Sequence, residues 1–99
     1  PGVTLPDVPP QGHSWQAVCV SVQERARVMT RLRGEGVEAQ IGTYAVHREP
    51  AYAGHPQVRL AEDLTGSAQA ADNSLALPLF YTMTDQMQDE VMNMLRQAL

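Results

Sequence analysis

Residues 15–22 read WQAVCVSV. Gln16, Val18, Val20 and Val22 share one phase of this stretch, and Trp15, Ala17, Cys19 and Ser21 take the other. Side chains of an extended chain point to opposite faces in turn, and β-branched valine favours that conformation. The stretch is therefore predicted to be a strand with one clearly apolar face. The segments after it set the fold. Residues 23–33 place Ala26, Met29 and Leu32 or Arg33 at helical spacing, with Val28 widening the apolar stripe. Gly34 and Gly36 stop that helix, since glycine supplies a left-handed cap. Residues 37–42 read as a second, shorter strand.

Residues 43–59 carry Pro50, Gly54 and Pro56 and show no clear period. They are expected to form a long loop, with one helical turn near residues 49–53. Loops of this length inside a compact domain are more often functional than decorative. A short helix is predicted over 64–74, with Leu64, Ala68 and Ala71 on one side and Thr65 or Ser67 as its cap. Residues 75–77 are a short apolar strand ended by Pro78. The last helix runs over 85–99, with Thr84 as N-cap and Asp85 at the positive helix end. Met87, Val91, Met94, Leu95 and Leu99 form its expected buried stripe. The order strand, helix, strand, loop, helix, strand, helix gives an α/β fold class. It is a small two-layer sandwich, with a short, mostly antiparallel sheet covered by helices.

Residues 1–12, PGVTLPDVPPQG, hold four of the seven prolines. Proline fixes φ and removes a donor, so this stretch reads as an extended arm and not a helix. Val3, Leu5 and Val8 suggest that it lies against something. The expected organisation is an arm over 1–12 followed by one α/β domain over 13–99.

With 99 residues there is room for one small core. Aromatic residues make up only 5%, so that core must rest on Val, Leu, Ile, Ala and Met. The net charge of −4 argues against a nucleic-acid backbone or an anionic membrane as the main partner. A single cysteine, Cys19, allows no intrachain disulfide and fits a cytoplasmic setting. No apolar run reaches transmembrane length. All seven basic residues are arginine and there is no lysine. Codon bias explains the arginines more simply than phosphate binding does.

Each candidate site has a plain alternative. Gly34, Gly36 and Gly42 lack the spacing and the strand–helix setting of a dinucleotide loop, and helix capping accounts for them. His13, His47, His55 and Cys19 lack the short spacing of a metal site. Arg25, Arg27, Arg31 and Arg33 sit on one predicted helix, and only Arg27 and Arg31 share a face. The simplest reading is a solvated helix surface. Tyr44 and His47 follow a strand directly and could hydrogen-bond a phosphate or a sugar hydroxyl. On spacing alone, a structural or merely exposed place comes first for both.

Three segments carry a resemblance: residues 13–16 (HSWQ) with the strand after them, residues 36–52 (GVEAQIGTYAVHREPAY), and residues 74–79 (SLALPL) followed by Met83, Thr84 and an amphipathic helix. In order and spacing they are similar to the C-terminal region of the DegT-type nucleotide-sugar aminotransferases. That region reads RGIETQIGTYALHLQPAY and SLALPLYPQMTEEEQDRV. The resemblance covers essentially the whole chain and implies the small C-terminal α/β domain of a fold type I enzyme dependent on pyridoxal phosphate (PLP). Such enzymes move an amino group, usually from glutamate, to a keto sugar linked to a nucleotide diphosphate, and usually work as homodimers. They hold PLP as a Schiff base on a lysine.

A chain without lysine cannot form that bond. The resemblance therefore implies that this piece alone is not the catalyst and that the large PLP domain of the same polypeptide is its partner. Carried over by position, His47 and then Tyr44 would be substrate-side contacts. Trp15 and His13 could also approach the substrate. Many members read HYPPxH in this loop, where this chain has Thr43-Tyr44 in place of the leading His-Tyr, so Thr43 replaces the first histidine. No catalytic, cofactor or metal residue is assigned. The alternative is a free-standing α/β ligand-binding module, or a homo-oligomeric interaction module.

Overall fold

Every strand pair in the sheet is antiparallel, and the strands lie in the order β1-β2-β4-β3. The computed structural model describes residues 2–7, 11–12, 14–60 and 63–99. In chain order the elements are β1 (Val3–Thr4), β2 (Val18–Val22), α1 (Arg25–Gly34), β3 (Gln40–Ile41), a 3-10 turn (Val46–Arg48), α2 (Thr65–Asn73), β4 (Ser74–Leu77) and α3 (Asp85–Ala98). This is an α/β fold with the expected order of elements, plus one short strand drawn from the proline-rich N-terminal stretch. Val3 pairs with Val22 and packs against the core. Val8 and His13 lie outside the described residues.

The valine alternation of β2 survives folding. Val20 and Val22 are buried, whereas Ser21 on the other face is exposed. The strand begins at Val18 and not at residue 15. Val18 pairs with Leu77, and the next residue of β4's chain is Pro78, which has no N–H to continue the ladder.

Helix α1 buries Val28 and Leu32, which lie four residues apart on one face, with Met29 beside them. Ala26, expected in the stripe, is exposed, because the two fully buried positions fix the inward face and Ala26 stands about 200° from Val28 around the helix. The helix ends in a Schellman motif. The Val37 N–H donates to the Leu32 carbonyl at 2.9 Å, the Gly36 N–H donates to that of Arg33 at 3.1 Å, and Gly36 has φ +82°. Val37 and Leu32 both enter the core, which adds the hydrophobic contact typical of that motif.

Strand β3 is shorter than the predicted 37–42. The Ala39 N–H donates to the Val37 carbonyl at 2.9 Å, curling the chain before it can pair. Beyond β3, the Gly42 N–H still donates to the Ser74 carbonyl at 3.0 Å. At this point the chains approach so closely that a Cβ on Gly42 would lie 2.9 Å from Ser74 Cβ and closer still to its hydroxyl. Helix capping explains Gly36; Gly42 is explained by this contact.

Helix α2 is not capped by Thr65 or Ser67. Leu64 occupies the N-cap position at φ 55° without a side-chain bond, and Asp63 Oδ1 accepts the Thr65 N–H at 3.3 Å. Leu64, Ala68 and Ala71 are its half-buried side, as expected. At α3 the predicted cap is present: Thr84 Oγ1 accepts the Met87 N–H at 3.2 Å. The stripe differs from the expected one. Leu95 and Ala98 are buried and Val91 and Met94 pack at their edge, whereas Met87 and Leu99 are exposed. The core meets only the C-terminal half of α3, so the apolar residues of its first turns stay at the surface.

The core contains valine, leucine and alanine, and all five aromatic residues lie outside it. The α1 arginines are not simply solvated. Arg27 donates to the carbonyls of Ala98 at 3.2 Å and Leu99 at 3.1 Å, and Arg31 donates to Ala98 at 3.3 Å. These cations meet carbonyls left unpaired at the end of α3, where the helix dipole is negative. Arg33 donates to the Ala39 carbonyl at 2.9 Å, and Arg25 to that of Ala71 at 2.7 Å. Arginine's rigid fork suits such fixed geometry. No helix among the described residues is long and apolar enough to cross a membrane.

Candidate functional site

The chain leaves the sheet at Gly42 and passes through a series of turns before α2. Ala45 is buried and anchors the first of them. The Arg48 N–H donates to the Ala45 carbonyl at 2.9 Å, and the Ala53 N–H donates to that of Glu49 at 2.8 Å. The second bond closes the helical turn expected near residues 49–53, and the 3-10 turn before it was not foreseen. The His55 N–H and Val58 N–H continue the series, donating to the Tyr52 and His55 carbonyls. The loop is therefore held by its own backbone. It is also tied to α2, because Arg48 Nη1 lies 2.8 Å from Asp72 Oδ1.

Between these turns and α2 lies an open groove of about 450 Å³. Tyr44, His47 and Tyr52 line it with Val46, Val58, Leu60, Leu64 and Ser67. Tyr44 is exposed and His47 is half-buried. The groove offers apolar walls, two phenol hydroxyls, one serine hydroxyl and one imidazole. Such a surface can cradle a ring and hydrogen-bond its hydroxyl groups. A smaller recess of about 210 Å³ shares Tyr44 and is lined by Arg25, Arg48, Glu49 and Asp72. There Arg48 is paired with Asp72, and Arg25 Nε is buried with no acceptor among the described residues.

Of the four residues singled out in the sequence, the structure brings Tyr44 and His47 to one groove. Trp15 stands elsewhere. It precedes Val18, which pairs with Leu77, whereas the groove follows Gly42, which meets Ser74 at the opposite end of β4. His13 lies outside the described residues. His55 Nδ1 accepts the Gln57 N–H at 3.2 Å, a bond local to its turn. Cys19 is a free, half-buried thiol on β2. Among the described residues no three His, Cys, Asp or Glu side chains are arranged to hold a metal ion.

Sequence reasoning missed Tyr52, Val58, Leu60, Leu64 and Ser67 as groove residues. Leu64 and Ser67 are three apart at the start of α2 and so share a face, which was a usable signal. The other three sit in turns without a period, and only tertiary folding assembles them.

The sequence profile of the DegT/DnrJ/EryC1/StrS aminotransferase family matches residues 1–96. Among solved structures, the chain is similar to S. venezuelae DesV, crystallised in complex with a ketimine intermediate. The identity is 25% and the TM-score 0.81, over 98% of this chain and 26% of that one. It shares its fold with a DegT DnrJ EryC1 StrS aminotransferase from Brucella abortus, with 24% identity and a TM-score of 0.79, over 96% of this chain and 26% of that one. No significant match emerged among curated proteins. The chain thus spans about a quarter of the length of these solved relatives. With its order of elements, its sheet and its sequence all in agreement, the chain belongs to the DegT/DnrJ/EryC1/StrS aminotransferase family.

Proposed function

We propose that this chain is the small C-terminal domain of a PLP-dependent aminotransferase. The enzyme transfers an amino group from glutamate to a keto sugar carried on a nucleotide diphosphate. Residues 1–12 join the domain to a large PLP domain of the same polypeptide, and the enzyme works as a cytoplasmic homodimer. The reading is supported by family membership and by the quarter-length span of the solved relatives. The observation that carries it is the groove shared by Tyr44 and His47, two positions that the family resemblance assigns to the substrate side.

The residues of this chain do not fit the attachment of PLP. The Schiff base needs a lysine amine, and the chain has none; the groove's polar groups are hydroxyls and one imidazole. The chemistry of amino transfer accordingly lies outside these 99 residues. The domain's own task is to bind the substrate, orient it and exclude water from it. Tyr44 and His47 contact the sugar nucleotide through hydrogen bonds, and Trp15 and His13 are further substrate-side positions on the family resemblance alone.

The test uses the polypeptide as it occurs in its source. Purified from there, it should show the absorbance of a PLP aldimine and should consume glutamate when given a nucleotide-linked keto sugar. A native polypeptide with neither property would refute the proposal.

A further inference from the structure

At the Leu77 end of the sheet, away from the Tyr44–His47 groove, the segment after β4 and helix α3 enclose a second groove of about 570 Å³. Leu79 and Phe80 form one wall, and Met87 and Met94 stand on the other. Leu79, Phe80 and Met87 are all exposed. Methionine walls adapt to the shape of whatever enters. The lining also includes Glu35, Glu38 and Glu90 and no basic side chain. The ion pairs among the described residues are Arg27–Glu24 and Arg48–Asp72, so none of these three carboxylates is in one.

The geometry points to this groove as the docking surface for an apolar segment flanked by lysine or arginine, supplied by the part of the polypeptide beyond these 99 residues. The inference rests on the reading of the chain as one domain of a longer enzyme. The solved relatives, of which the chain spans 26%, show how much further polypeptide proteins of this fold carry. A second copy fits poorly. The chain carries a net charge of −4, so two acidic rims would repel. Of the seven arginines, Arg25, Arg27, Arg31 and Arg33 donate to carbonyl oxygens, Arg48 pairs with Asp72 and Arg96 donates to Asn93. Among the described residues this leaves Arg59 as the one cation a second copy could offer to three carboxylates. An occupant with apolar side chains and its own cations satisfies both the walls and the rim.

Met87 and Met92 give an internal comparison. Their exposures in this domain are 44% and 36%; Met87 lines this groove, whereas Met92 lines only the adjoining recess, which shares Leu79 and Val91 with it. The intact source polypeptide is treated with dilute peroxide, and sulfoxide formation is followed at both positions by mass spectrometry. Met87 should oxidise about tenfold more slowly than Met92, since a docked segment shields it. In the Glu38→Arg/Glu90→Arg variant the two rates should converge. Equal rates in the intact wild type, or protection that survives both charge reversals, would overturn the proposal. Protection that fades on dilution would overturn it in favour of a second copy. Amino transfer is measured on the same preparation. An active enzyme with equal rates loses the docking surface and keeps the function; an inactive one with Met87 shielded does the converse.

Discussion

The guanidinium of Arg48 lies 2.8 Å from the carboxylate of Asp72, and this pair joins the turn that carries His47 to α2, whose first turn lines the groove. Both side chains are about half exposed, so solvent screens the pair. Asp72→Ala should lower stability by less than about 1 kcal/mol in urea unfolding, and less still in high salt. A larger loss would mean that the pair does more than hold one turn to one helix.

Gly42→Ala should destabilise far more than its single added methyl suggests. The new Cβ would press on Ser74 Cβ at 2.9 Å and on the Ser74 carbonyl carbon at 3.1 Å. Overpacking of this kind costs about 1–3 kcal/mol. The shift of the urea midpoint measures it. Because the clash involves backbone as well as the hydroxyl, Ser74→Ala in the same chain should recover only part of the loss.

Thr84→Ala removes the acceptor for the Met87 N–H and should cost about 1 kcal/mol. A change within a few tenths of a kcal/mol in thermal unfolding would show that the first turn of α3 needs no cap.

Asp63 gives a pH dependence of known sign. The Thr65 hydroxyl, and then the Thr65 N–H, hold its carboxyl below the ordinary carboxylate range. The folded pKa therefore lies below the unfolded one. Its contribution to stability is present above the unfolded pKa and is lost as pH falls through the lowered folded value. The difference in stability between the wild type and Asp63→Asn should shrink across that acid window and stay constant above it. Unfolding curves collected down the acid limb provide the check.

The parts of this fold that could be read from sequence are those set by local periodicity. The valines of β2, the Thr84 cap and the run of strand, helix, strand all follow from side-chain alternation and local hydrogen bonding. The parts that could not be read depend on partners far away in the chain. Strand β2 stops short because Pro78 ends its neighbour, and the stripe of α3 shifts because the core meets only half of the helix. The arginines of α1 look solvated in a helical projection, yet Arg27 and Arg31 reach carbonyls at the far end of the chain. The candidate site divides in the same way. Tyr44 and His47 stood out by their place after a strand, whereas Tyr52, Val58 and Leu60 join them only through turns that no period announces.

The central claim is that this chain shapes the substrate site while the chemistry lies elsewhere in the polypeptide. Steady-state amino transfer by the intact source polypeptide, with and without His47→Ala, tests it most directly. Loss of a contact made equally in the ground and transition states raises KM, here by about tenfold, and leaves kcat nearly unchanged. Kinetics for His47→Ala that cannot be told from the wild type, or a wild type that transfers no amino group to any nucleotide-linked keto sugar, would contradict the account.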